Sequence, residues 1–471
     1  MGNLDWDAEG DAIVDALVDD GVSFSGAEVS QILESLKDVE ASGGDVSKIR
    51  SETGLKILKG LFALNADFID HTVTPEMIAE DYREGRAEHG VVPFEVDIEG
   101  HLEALQRHTQ ETYVAVAALS IGGTNIIAGE ARISGTGDID VGMLGFKEFE
   151  DLPYEKGEDF WQAVLPEGSF EIFKKAVEDG KLDLGSTIAH PVEDGCLRPG
   201  KYTCPELTDG STKVEDSLGT FVGEHGIAAK EDIHMAISPN DTVTARCAYF
   251  ELSREYADKL RGSLIIGTGA NSYLDGWVTE FGDYSRFKPS YLDKEQPTAE
   301  KTVTIDHLVA GSKMGDTFKF AVSELFGADN ATSIELQKLS NKAAGKLIFD
   351  LAYGNELELP ESVDEYDRVF LKVLARKFVD RSVYYAVNML KGITMDIDQD
   401  VVLFVDGSLI TKNPQFLEAI NTGLEGSRVE LVFSELNVSG DGADAVKDNA
   451  SLVGTFVYAL AAKLLRESTT E

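Results

Sequence analysis

The chain has 471 residues, 43% of them hydrophobic, enough to bury a large core and to favour two or three domains over one. Its 84 acidic residues outweigh 42 basic ones, leaving a net charge of −42 that repels nucleic-acid phosphates and anionic lipid heads. Neither nucleic acid nor membrane is therefore an expected partner, and no apolar run nears the roughly 20 residues of a membrane helix.

In chain order, the acidic opening Met1-Gly2-Asn3-Leu4-Asp5-Trp6-Asp7 lacks the basic-then-apolar pattern of a secretion signal, so the expectation is a cytoplasmic protein. The first hundred residues read helical. Val29, Ile32, Leu33 and Leu36 recur at helical spacing, and Thr74-Pro75-Glu76 offers a cap, a proline at the first helical position and an early acid. From Tyr113 to Leu119 an unbroken β-prone run begins, Ser120 to Thr124 turns the chain, and Asn125 to Ile133 reads as a second strand.

Cys196, Cys204 and Cys247 form no CxxC pair and have no histidine at a zinc-like spacing, which argues for reduced thiols over a disulfide scaffold or a structural metal. His234 to Ile237 is strand-like and leads into Ser238-Pro239-Asn240-Asp241-Thr242-Val243-Thr244 and a helix-like continuation. Ser263 to Ile266 runs into Gly267-Thr268-Gly269, and Val401 to Val405 into Asp406-Gly407-Ser408. Between and after them lie helical blocks, Val369 to Leu390 and a final one with Val453, Phe456, Val457, Leu460, Ala461 and Leu464 on one stripe. The alternation predicts an α/β protein without solenoid repeats.

Three of these elements can carry chemistry. A Gly-Gly-Thr turn after a strand, as at Gly122-Gly123-Thr124, lets backbone N–H groups approach a phosphate and adds a hydroxyl, although an ordinary hairpin has the same sequence. Gly267-Thr268-Gly269-Ala270-Asn271 is a second turn of this kind, readable otherwise as a plain strand-to-helix loop. Neither GxxxxGK[ST] nor GxGxxG occurs, so a nucleotide would sit between two such turns and not on a P-loop. Asn240-Asp241 at a strand-to-helix junction suits a helix cap, but it equally places a carboxylate where an alcohol could be activated for phosphoryl transfer.

Together these segments resemble the ATP-dependent hexokinases and glucokinases of eukaryotic type, within the sugar kinase, heat-shock 70 and actin superfamily. Leu119-Ser120-Ile121-Gly122-Gly123-Thr124-Asn125 resembles the first phosphate motif, and Leu184-Gly185-Ser186-Thr187-Ile188-Ala189-His190-Pro191 the sugar loop that ends in Phe-Pro in the family. Asn240-Asp241-Thr242-Val243 matches the catalytic Asn-Asp-Thr-Val, and Ile266-Gly267-Thr268-Gly269-Ala270-Asn271 the second phosphate motif. Val278-Thr279-Glu280-Phe281-Gly282 follows Asn-Thr-Glu-Trp-Gly, Ile305 to Asp316 is similar to the Glu-Lys segment, and Val405-Asp406-Gly407-Ser408-Leu409 is similar to the adenosine motif. The order holds from about Tyr113 to the end of the chain.

The resemblance implies two ribonuclease-H-like (actin-like ATPase) α/β domains around a cleft: residues 112–238 with the C-terminal helix 455–471, and residues 239–454 with the helical residues 1–111. It implies Asp241 as catalytic base; Asn240, Asp241, Asn271, Glu280 and Asp306 as sugar ligands; Gly122, Gly123, Thr124, Asn125, Gly267 and Thr268 on phosphates; and Gly407 and Ser408 on adenosine. The cofactors would be ATP and Mg2+, the substrate a hexose, glucose first, and the product its 6-phosphate.

The sequence departs from the family at Ser120, where an Asp helps hold magnesium. The Thr-Lys pair that contacts sugar has no clear counterpart: a gap-free count lands on Cys204-Pro205, and Lys213 after Thr212 would replace it only through a loop shift. Ala189 stands for a frequent Ser, and Lys447-Asp448-Asn449-Ala450 for a Gly-Ser-Gly-rich adenosine motif. Two rival readings stay open: a sugar-binding sensor that barely turns over, and an ATPase of the same superfamily without a sugar substrate, for which the clustered acids Asp241, Glu280 and Asp306 would have no use.

Overall fold

The computed structural model describes residues 5–19, 25–41, 46–89, 93–108, 113–122, 125–134, 137–148, 156–189, 192–198, 204–295, 302–355, 359, 363–447 and 449–470. Its strands in chain order are β1 (Phe94–Glu95), β2 (Val114–Ile121), β3 (Asn125–Ile133), β4 (Ile139–Glu148), β5 (Leu182–Ile188), β6 (Val192–Glu193), β7 (Cys196–Leu197), β8 (Ile233–Ile237), β9 (Leu260–Ile266), β10 (Ala270–Leu274), β11 (Trp277–Val278), β12 (Val401–Asp406), β13 (Val429–Val432) and β14 (Val438–Ser439).

Two six-stranded sheets repeat one path. In the first, β2, β3 and β4 form an antiparallel meander, and β5 then β8 add parallel on the β2 side. In the second, β9, β10 and β11 make the meander, and β12 then β13 add parallel on the β9 side. Each sheet also takes a short edge strand from elsewhere in the chain: β14 pairs with β4, and β1 with β11. The fold is thus the α/β, doubled ribonuclease-H-like arrangement expected from the sequence.

Burial explains the strand signals. β2 is buried at every residue after Val114, because both its faces are covered, so it reads as an unbroken apolar run. β4, nearer the edge, alternates buried and open positions over its first half. Near the N-terminus, Ile32 and Leu36 of the helix Gly26–Ala41 and Leu61 and Phe62 of Glu52–Asp67 share one core with Phe370 and Leu374 of the long helix Glu365–Ile393 and with Leu403 of β12. The helix Pro75–Glu84 starts as predicted, with the Thr74 hydroxyl accepting the Met77 N–H at 3.3 Å. No helix among the described residues is long and apolar enough to cross a membrane, and the three cysteines are free.

The C-terminal helix Ala450–Thr470 joins the two sheets. It packs on β2 and β5 of the first and on the helix Asp241–Ala248, which itself lies on β9 of the second. Two glycines permit the approach: a Cβ at Gly454 would lie 1.7 Å from the Thr244 carbonyl oxygen, and one at Gly185 2.5 Å from that of Thr455. Asp183 of β5 holds the far end of the helix through Arg466 (2.6 Å) and Lys463 (3.2 Å). Gly454→Ala is expected to cost about 1–3 kcal/mol or more by overpacking this crossing. Chemical unfolding measures it, and an unchanged midpoint would show that the two helices separate without cost.

Candidate active site

Pairing of β5 with β8 brings the segments expected to form the sugar loop and the catalytic junction side by side. The Ser238 N–H donates to the Ser186 carbonyl at 2.8 Å and the Val192 N–H to the Pro239 carbonyl at 2.9 Å. Asn240 then caps the helix Asp241–Ala248, its Oδ1 accepting the Thr242 N–H (3.0 Å) and hydroxyl (2.8 Å). The residue expected at the sugar site is therefore also the helix cap, with the amide oxygen of Asn240 engaged in holding the turn. Asp241 is partly buried at the first helical position. Its carboxyl is pushed from the usual 3.8 to about 7, first by desolvation and then by the charge of nearby Asp406, against backbone N–H donors that pull it down.

Across from it, β9 and β10 form a hairpin whose turn is Gly267-Thr268-Gly269, a strand-to-strand turn and not a strand-to-helix loop. The Gly267 N–H donates to the Gly269 carbonyl at 2.9 Å, and the Ala270 N–H to Asp306 Oδ1 at 2.8 Å. Asn271 is tied to Glu280 twice: its Nδ2 donates to Glu280 Oε1 at 2.6 Å, and its Oδ1 accepts the Glu280 N–H at 2.9 Å. Glu280 holds a left-handed backbone, φ 52° and ψ 34°, uncommon for a residue with a side chain. Burial pushes its carboxyl up to about 7; Asp283 and Asp241 push the same way, and Asn271 and Arg198 oppose them. Gly282 must be glycine, since a Cβ there would lie 2.2 Å from the Ala270 carbonyl and 2.4 Å from Asp306 Oδ1.

Asp241, Asn271, Glu280 and Asp306 therefore form one neighbourhood. The two glycine turns assigned to phosphate and adenosine also meet. Gly407 is left-handed at φ 98°, a Cβ on it would lie 2.5 Å from the Ile266 carbonyl, and a Cβ on Gly267 would lie 3.5 Å from Gly407 Cα. Ser408 begins the short helix that follows. Gly122 closes the β2–β3 turn by donating to the Asn125 carbonyl at 2.9 Å, whereas Gly123, Thr124, His190 and Pro191 lie outside the described residues. Ser120 is buried in β2, in register with Thr187 of β5. Lys213 starts the helix Val214–Glu224 with its stem against Gly195.

Sequence reasoning missed the role of Asp406. At the end of β12, its Oδ2 accepts the Ser451 N–H (2.9 Å) and hydroxyl (2.7 Å), so it anchors the C-terminal helix while its charge acts on Asp241. Arg198 was missed too: it pairs with Glu193, lies 4.8 Å over the Phe94 ring and draws the Glu280 carboxyl down. A lone arginine beside two-residue strands has no pattern that would have marked it.

No protein-family model matches this sequence, and no curated protein matches it. Solved structures do match. The hexokinase of Schistosoma mansoni, solved in complex with glucose, is 15% identical, superposes with a TM-score of 0.61, and is covered over 100% of its chain by 87% of this one. The chain has the hexokinase fold. A second structure described as a hexokinase agrees at a TM-score of 0.51 and 15% identity, over 88% of this chain and 100% of that one.

The chain thus holds a partly buried acid whose neutral form its surroundings favour. A carboxyl raised from 3.8 to about 7 contributes stability that is present in full below about pH 4 and lost as pH rises through 7. Asp241→Asn should therefore unfold several degrees later than the wild type at about pH 8 and near the same temperature at about pH 4. Scanning calorimetry at both pH values checks it; equal midpoints at the higher pH would show that the carboxyl is not penalised.

Proposed function

We propose that this protein phosphorylates the primary hydroxyl of a hexose, glucose first, with ATP, giving the hexose 6-phosphate and ADP. The observation that carries the reading is the single neighbourhood of Asp241, Asn271, Glu280 and Asp306 beside the Gly267 and Gly407 turns, set in a hexokinase fold. Side-chain amides and carboxylates accept and exchange several hydrogen bonds each, which suits vicinal hydroxyls and serves no purpose in an ATPase without a sugar.

In this mechanism Asn240, Asn271, Glu280 and Asp306 hold the sugar hydroxyls, and Asp241 faces the primary one. As the sugar oxygen bonds to the γ-phosphorus, the bond from that phosphorus to the β-bridging oxygen breaks, ADP departs, and the hydroxyl proton passes to the Asp241 carboxylate. A pKa near 7 keeps a useful ionised fraction and makes the group a competent acceptor. Backbone N–H groups of the Gly122–Asn125 and Gly267–Thr268 turns would receive the phosphates, and Gly407 and Ser408 the adenosine. Among the described residues no group of three or more histidine, cysteine, aspartate or glutamate side chains could hold a metal ion. A magnesium ion would be carried by the nucleotide phosphates, with the Ser120 hydroxyl as a neutral neighbour, and bound there it would neutralise phosphate charge. Domains of residues 112–238 with 455–471, and of 239–454 with 1–111, would close over the sugar and exclude water, the protein working in the cytoplasm.

Asp241→Ala should lower sugar-dependent ADP release by about a hundredfold or more while nucleotide binding persists. Activity within a few-fold of wild type would remove Asp241 from the mechanism. Ser120 favours one second reading, a sugar sensor without turnover, because a hydroxyl brings no charge to the ion. Ser120→Asp should lower the magnesium concentration for half-maximal rate. A wild type silent at millimolar magnesium with every hexose, while still binding one, would establish the sensor.

A further inference from the structure

We propose that Asp81, far from the cleft in sequence, is the positioning residue that holds Glu280 in its sugar-binding conformation; the inference rests on the sugar-kinase reading above. Glu280 occupies a left-handed backbone position that costs on the order of 1–3 kcal/mol for such a residue and persists only where the surroundings over-determine it. The segment around it is pinned on both sides by two consecutive residues of the helix Pro75–Glu84.

On the near side, the Tyr82 hydroxyl donates to the carbonyl of Thr279 at 2.9 Å, the residue before Glu280. On the far side, the Asp81 carboxylate, 0% exposed, accepts the Tyr284 hydroxyl at 3.0 Å and Arg286 Nη1 at 2.8 Å, with Arg86 Nε at 3.4 Å. The Ser285 N–H adds a bond to the His89 carbonyl at 2.8 Å. The stretch 279–286 is thereby fixed at both ends with Glu280 inside it. Tyr284 also reaches the second acid, because its carbonyl accepts the Ile305 N–H at 2.8 Å and so sets the start of the helix that carries Asp306. A buried carboxylate with three donors around it has little freedom to shift, since moving it away from them leaves its own charge unpaired in a dry place. The Asp81 network therefore acts on the sugar acids through Tyr284 and not through contact with substrate.

Glu280 would hold sugar equally in the ground and transition states, so a loosened Glu280 should raise the sugar KM with little change elsewhere. The test uses the full chain with Asp81→Asn, and with Tyr284→Phe, which removes only the hydroxyl and serves if Asp81→Asn does not fold. Asp367→Asn, which removes another buried carboxylate, one that accepts the Thr332 hydroxyl at 2.6 Å, controls for destabilisation alone. The expected result is a sugar KM raised about tenfold in the Asp81 and Tyr284 variants, with kcat and the ATP KM within about twofold, and no KM change in the control. A sugar KM unchanged in both variants, or raised equally in the control, overturns the proposal. Crystal structures of the variants without sugar form the second arm: the Asn271–Glu280 bonds should break and Glu280 should leave its left-handed position, and retention of that geometry in both variants overturns the proposal whatever the kinetics. If the wild type phosphorylates no sugar, the kinase reading fails, and the crystallographic arm alone decides whether Asp81 positions Glu280.

Discussion

Carboxyl groups removed from water within electrostatic reach of one another set the terms for this molecule. Asp241, Glu280 and Asp406 are each desolvated, and each raises or is raised by a neighbour in the group. A helix N-terminus stabilises a carboxylate by about 0.3–1 kcal/mol, whereas stripping its hydration costs several. Desolvation wins, so Asp241 sits near 7 although it stands in the first turn of a helix. The fold limits the cost by giving each group donors: Ser451 for Asp406, Asn271 for Glu280, and the start of its own helix for Asp241. Those donors come from three different parts of the chain, which is why the core around them tolerates so little slack.

How much of this can be read from the sequence follows the range of the interactions. Strands such as β2 and β12, covered on both faces, announce themselves as apolar runs, and the glycine turns after them stand out because only glycine survives where Gly407 meets Ile266. The Asn240-Asp241 junction was visible for a local reason as well, as a cap that also bears an acid. Illegible were the two-residue strands β1, β11 and β14, too short for any periodicity, and the left-handed turn at Glu280, where a glycine would have been the usual signal. Bonds such as Tyr284 to Asp81 join residues 203 positions apart and leave no mark in either segment. The residue types of the candidate site were thus readable, and the long-range bonds that hold their segments in place were not.

The acidic excess has a physical corollary in the ion pairs. With twice as many acids as bases, the cations cannot pair one-to-one with the carboxylates, and one buried cation is tied into the interior: Arg381 meets Asp293 at 3.0 Å and lies over the rings of Phe68 and Phe378. Exposed pairs contribute little in any case. Mutual repulsion among the remaining acids is opposed by dissolved salt, so cohesion of the interior and ionic strength of the surroundings act together on stability.

The C-terminal helix closes the first sheet from a distance of some 280 residues, the span between Asp183 and Arg466. A ribosome adding about 5–20 residues per second needs roughly a quarter of a minute to a minute to cross that span. For all that time the segments of β2 and β5 lack the helix that covers them in the finished fold. The first sheet therefore receives its cover only after nearly the whole chain has been made, so the order of synthesis makes this face the last part of that layer to be buried.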